Sequence, residues 1–275
     1  EYSYRDRLFN GSLGFQTVRS SLGGVITSPV IPIGRTGINL TYQGGVQYIN
    51  ARSDRIDLLN FIPGTFLLED DRIALGRFQL SAELVRPTFL WRGQPLPATA
   101  TEGLRYTPVP VVPFLQLVPS IRGTTSIYTS GDTQQNLLGS LALRGQFGHF
   151  SRPFLDYTGF NLQYIQIFRD GLSPFLFDRI VDTRVLSFGI TQQIYGPFRL
   201  GFQTSINLNT GENISTDYIL EYSRRTYGVI VRYNPQREIG SINLRISDFN
   251  WTGGGEEFGG SGGRFVDTGV IREEF

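Results

Sequence analysis

The chain has no cysteine, no lysine and no methionine, and it holds a single histidine, His149. Without cysteine there are no disulfides, no thiolate nucleophile and no cysteine-held metal. Without lysine there is neither a phosphate-loop lysine nor a Schiff base. With one histidine, flanked by aromatic residues, a histidine-paired nucleophile or a histidine-rich metal site has almost nothing to stand on, and a structural or interfacial role suits it better. Net charge is only +1, so neither a nucleic-acid polyanion nor a strongly acidic substrate is an expected partner. No apolar run reaches the ~18 residues needed for a membrane-spanning helix. The absence of an initiator methionine and of a leader before Glu1 suits a processed chain or a fragment.

Present in quantity are 33 glycines, 21 phenylalanines and 13 tyrosines in 275 residues. All 25 basic residues are arginine, whose planar guanidinium keeps its charge in a crowded polar interior. The stretch from Pro197 to Asn234 shows how these residues are arranged. Phe198, Leu200 and Phe202 share one parity with Ile206, and Arg199, Gly201, Gln203 and Ser205 take the other. After the turn at 211–213 the pattern restarts with Tyr218, Leu220 and Tyr222 against Asp217 and Glu221. It then runs a third time, with Tyr227, Val229, Val231 and Tyr233 against Gly228 and Arg232. Side chains of a strand alternate between two faces, so these are three antiparallel strands with one greasy and one polar face.

The same reading along the chain predicts strands over 4–18, 36–51, 72–85, 114–129, 137–147, 154–168 and 181–194. A further strand lies around Ile242, Leu244 and Ile246, and 264–275 is a last strand or a tail. Residues 23–34 read as an apolar connection, 54–62 as one or two helical turns, 87–113 as a long proline-rich loop or distorted strand, and 173–178 as a loop. The glycine-rich segment 253–263 is expected to be flexible. The expected fold is therefore all-β, a single domain over 1–275 with about 12–14 antiparallel strands and almost no helix.

Alternation alone fits a soluble sandwich as well as a membrane barrel. Runs of nine or more residues, aromatics near the turns and a Gly/Ser/Gln/Asn/Arg parity favour an antiparallel transmembrane β-barrel, the one sheet form that satisfies its backbone in lipid. Phe198, Leu200, Phe202, Leu220, Val229 and Val231 are then expected to face lipid. Arg199, Gln203, Asp217, Glu221, Arg232 and Arg245 are expected to face the lumen, to brace its wall or to set selectivity. Pro29, Pro32, Pro108, Pro110 and Pro113 mark where strand pairing is expected to be sparse, a seam in the first half of the chain. The Glu69, Asp70, Asp71 run has the hard oxygens of a calcium site but reads better as a solvated loop, and no cofactor or metal is called for.

Segments 7–34, 144–164, 173–182, 192–212 and 215–235 resemble a cyanobacterial family of outer-membrane proteins related to the lipopolysaccharide-assembly protein LptD. The resemblance implies an integral barrel of the bacterial outer membrane that inserts lipopolysaccharide into the outer leaflet. It implies as partners outer-membrane lipid, periplasmic bridge components and a plug lipoprotein. The LptD barrel is larger and follows a periplasmic jellyroll, so 275 residues suit a smaller barrel or the C-terminal half of a larger one. The alternative is a passive porin-like channel or structural barrel. Nothing in the chain points to an enzyme.

Overall fold

Period-two alternation of β-branched and aromatic residues with small polar ones gives strands along nearly the whole chain. A computed structural model describes residues 2–60 and 70–247, together with the backbone of 264–267 and 270–273. In chain order the strands are β1 Tyr2–Phe9, β2 Phe15–Thr27, β3 Ile31–Pro32, β4 Asn39–Arg52, β5 Arg72–Val85, β6 Thr88–Arg92, β7 Phe114–Tyr128 and β8 Thr133–Gly148. They continue as β9 Tyr157–Gly171, β10 Arg184–Tyr195, β11 Phe198–Asn207, β12 Asn213–Ser223, β13 Tyr227–Asn234, β14 Ile239–Ile246, β15 Arg264–Asp267 and β16 Val270–Glu273. Among the described residues the only helical pieces are two 3-10 turns, Gly11–Leu13 and Ile56–Leu58.

All the strands belong to one sheet. Its neighbour order runs β14-β13-β12-β11-β10-β9-β8-β7-β5-β4-β2-β1-β15-β16, with β3 paired to β4 and β6 paired to β7. Every pairing is antiparallel except β1 with β15, which is parallel. The sheet is open, because β14 has no strand on its outer edge among the described residues. It nevertheless curls until its two sides meet at one end. There Arg7 of β1 pairs with Glu238, in the β13–β14 turn, at 3.0 Å. Close by, the Arg237 guanidinium lies 5.5 Å from the centre of the Phe9 ring.

Several boundaries differ from the sequence reading, each for a local reason. Residues 4–18 form two strands, not one, because Gly11 and Gly14 take positive φ and turn the chain through the 3-10 segment. Residues 23–27 complete β2 instead of opening a loop. Residues 54–62 hold one 3-10 turn, and the part from 61 to 69 lies outside the described residues, as does 253–263. Segment 87–113 contains the short strand β6, and 264–275 contains β15 and β16.

The five seam prolines lie in or beside β3 and in the connection before β7. Pro29 precedes β3 and Pro32 sits in it, opposite Asn39. Pro108 and Pro110 fall in the connection before β7, and Pro113 accepts a hydrogen bond from the Gly93 amide at 2.8 Å. Pairing of β5 with β7 is continuous from Arg77↔Tyr128 to Val85↔Ser120, and β6 then takes over β5's place along β7. Of these five only Pro32 lies in a strand, the two-residue β3; the other four lie in connections, where no ladder amide is needed. Among the described residues the sheet ends at β14 on one side and at β16, beyond β1, on the other.

Candidate functional site, a polar interior closed by its own loops

The two faces of this sheet are inverted relative to a water-soluble sandwich. On β5, Phe78 and Leu80 are 47% and 51% exposed, whereas Arg77, Gln79 and Ser81 between them are buried. Rows of exposed apolar residues run across neighbouring strands in register, such as Leu200, Leu220, Val231 and Ile242. The covered face is held by side-chain hydrogen bonds. Gln79 donates to Ser126 Oγ at 3.0 Å, the Ser81 and Thr124 hydroxyls hydrogen-bond at 3.1 Å, and those of Ser187 and Ser205 do so at 2.7 Å. Buried polar groups paired in this way avoid the cost of lost hydration.

The expected outward set lies on the apolar face. Phe198, Leu200, Leu220 and Val231 are exposed, while Phe202 and Val229 are half-buried by neighbours in their rows. Phe202 packs between the rings of Phe188 and Tyr218, 5.9 and 5.7 Å away. The expected inward set lies on the opposite parity. Arg199 and Glu221 are register partners and form an ion pair of 2.5 Å, with both side chains largely covered. The Arg199 guanidinium also lies 4.5 Å from the Phe150 ring centre and 4.9 Å from that of Tyr157. Arg245 donates to Ser223 Oγ at 2.9 Å. Gln203 faces Asp217 in register, and Arg232 is flanked in register by Ile219 and Ser241. This set does not converge on one centre; it lines a wall.

One end of the space inside that wall is closed by the β9–β10 connection. Phe175, Phe177 and Ile180 are buried, the two phenylalanines against Leu8, Val18, Ile49, Ala51, Ile73 and Tyr128 of the wall. Burying each such side chain contributes about 1.5–3 kcal/mol. At the centre of the segment Asp178 is fully buried. It accepts hydrogen bonds from Arg77 Nη1 at 2.7 Å, from Tyr128 Oη at 2.9 Å and from Ser173 Oγ. Gln134 Nε2 donates to the Asp178 carbonyl at 3.0 Å, while its Oε1 accepts from the amides of Ser173 and Ile180 at 3.2 Å each. Arg77 reaches on to Gln47 Oε1.

Further bonds fasten the rim of this segment. Asn10 Nδ2 donates to the carbonyls of Leu176 and Arg179, and Ser53 Oγ donates to that of Pro174 at 2.6 Å. Arg179 clasps both oxygens of Asp54 at 2.6 Å, which holds the Asp54 carboxyl below its ordinary range against a smaller opposing effect of burial. Asp182 accepts from Ser12 and from Asn207, tying the β1–β2 turn to β11.

The opposite end is covered by the 93–113 connection and the β8–β9 turn. Tyr106 and Phe150 are buried with ring centres 5.3 Å apart, and Ser223 Oγ donates to the Tyr106 carbonyl at 2.8 Å. His149 contacts the Gln94 carbonyl at 3.1 Å, a structural bond between these two connections. Asp70 and Asp71 are matched by Arg72 and Arg52, at 3.4 and 2.6 Å, and Glu69 lies outside the described residues. No group of three metal-binding side chains occurs among the described residues. Residues 173–178, a plain loop by their sequence, are thus largely buried. The sign that was available is the apolar pair Phe175 and Phe177 beside a lone Asp178.

The chain is thus an all-β protein whose single curled sheet shows its apolar side outward and encloses a polar interior covered at its ends by its own connections. It belongs to the family described as a protein of unknown function (DUF3769), whose model matches residues 1–250. No curated protein and no solved structure matches the chain.

Proposed function

We propose that this protein is an integral β-barrel of the bacterial outer membrane. The observation that carries the reading is the inverted sheet, with large apolar side chains exposed in register across its outer face and a hydrogen-bonded polar face inside. In water such a surface is a liability far beyond the few hundred Å² of apolar patch usual for a soluble monomer. In lipid it is the stable arrangement, and the curled sheet satisfies most of its own backbone. Strands of 10 to 16 residues, as in β11 and β8, are long enough to cross a hydrocarbon core at a tilt.

Within that membrane we assign it, on the resemblance of its segments to the LptD-related family, to the insertion of lipopolysaccharide. A passive porin-like channel is the competing reading. The seating of residues 173–182 across one end of the lumen weighs against it, since a general diffusion pore keeps an aqueous path open. Depleting the protein in its native host tests the assignment. Loss of newly made lipopolysaccharide from the cell surface, with solute uptake unchanged, supports it. Unchanged surface lipopolysaccharide with impaired uptake of small solutes supports the porin.

A further inference from the structure

The β9–β10 segment is fastened unlike a permanent brace. Its two phenylalanines are seated in apolar wall, but its deepest residue is a carboxylate, paired with an arginine whose side chain is 2% exposed. Dehydrating both charges consumes much of what their attraction returns, and a buried pair of this kind is often no more stabilising than well-packed apolar residues. A segment meant only to fill space would be held better by further leucines. The seat left behind is also suited to water. Without Asp178, the wall would present Arg77, Gln47, Gln134 and Tyr128, groups that hydration can satisfy. The segment is bonded to the turn after β1, to Arg52 and Ser53 at the end of β4, to strands β5, β7, β8 and β9, and through Asp182 to Asn207 of β11. At its start Gly171 takes a φ of +70°, a conformation that accommodates a sharp exit from β9.

We infer that residues 173–182 are a releasable stopper, with the Arg77–Asp178 pair as its latch, and that the lumen opens when this segment leaves its seat. The inference rests on the membrane-barrel reading and adds to it a resting closure supplied by the chain itself. Opening breaks the buried pair and exchanges its bonds for bonds to water, and no covalent step is involved.

The full chain, reconstituted in lipid vesicles and planar bilayers, tests this with D178N and R77Q. The chain contains no cysteine, so A51C, at a buried wall residue packed with the stopper's phenylalanines and making no side-chain bond to it, reports its departure through a membrane-impermeant thiol reagent. T210C, in the exposed β11–β12 turn, serves as the accessible reference. Wild type should insert, conduct rarely and protect A51C. D178N and R77Q should raise the open fraction at least about tenfold, a modest effect for a broken buried pair, and bring A51C labelling close to that of T210C. Inserted variants that conduct like wild type and keep A51C protected would overturn the stopper while leaving the barrel in place. Failure of wild type itself to insert would strike the membrane reading instead. Hydrogen exchange on the unmutated chain supplies a check independent of folding defects. Amides 173–180 should exchange faster than those of β4 and β5, and exchange at the same slow rate as those strands would contradict release.

Discussion

Replacing Leu80 with arginine separates the two solvents this sheet could face, because the expected costs differ. Leu80 lies near the middle of β5 on the exposed face, 51% accessible, opposite Gly44 of β4 and Thr125 of β7. Its nearest wall neighbours are small, so the substitution causes no steric conflict. Were that face in water, an arginine there would change stability by no more than about 0.5 kcal/mol, as for other exposed positions. In a bilayer, arginine on the lipid face of a barrel costs about 2–4 kcal/mol near the midplane. The inward control is Ser81→Ala, which removes the bond to Thr124 and should cost about 1 kcal/mol in either solvent. Guanidinium titration of the vesicle-folded protein, followed by tryptophan fluorescence, reads both. A Leu80→Arg midpoint within about 0.5 kcal/mol of wild type would refute the assignment of the faces.

Other expectations follow from particular contacts. Glu221→Gln leaves the Arg199 charge without its carboxylate, though still over the Phe150 and Tyr157 rings, and should cost about 1–3 kcal/mol in the same titration. The Asp54–Arg179 clasp depends on ionised Asp54, whose carboxyl is held below its unfolded value of 3.8. Its contribution is therefore whole above that value and is lost as pH falls through the lowered one. The open fraction in planar bilayers, constant from pH 7 to 5, should begin to rise only below pH ~4, and a rise centred near pH 6 would exclude Asp54 as the titrating group. In hydrogen exchange, amides of β11 and β12 should be among the slowest and those of β14 and the first half of β1 the fastest within strands, because the sheet ends there. Equal protection of β14 and β12 would show that the outer edge of β14 is paired.

Much of the wall could be read from residues alone. Alternation is a local property, so Phe198, Leu200 and Phe202 against Arg199 and Gln203 define two faces without any tertiary information. Which face meets solvent is not local. It is settled by what closes over the polar side, here the segment from Ser173 to Asp182. In sequence that segment is too short and irregular to register as an element, and its burial depends on partners more than a hundred residues away, such as Arg77. Proline content is ambiguous for a related reason. Pro108, Pro110 and Pro113 mark absent amide donors, but whether an absent donor weakens a sheet depends on where β6 and β7 run. The meeting of Arg7 with Glu238, 231 positions apart, has no sequence signal of any kind.

The central claim is that the apolar face of this sheet lies in lipid, and one accessibility scan tests it directly. Single cysteines placed in turn at Phe78, Gln79, Leu80 and Ser81 of β5 carry a nitroxide in the vesicle-reconstituted protein, with no native thiol to interfere. Collision rates with oxygen, which concentrates in the bilayer, and with a water-soluble nickel chelate are then compared by electron paramagnetic resonance. The account predicts a period-two pattern, with high oxygen and low nickel exposure at 78 and 80 and neither pattern at 79 and 81. Nickel access at 78 and 80 equal to that of a labelled residue in an exposed turn such as Thr210 would contradict it.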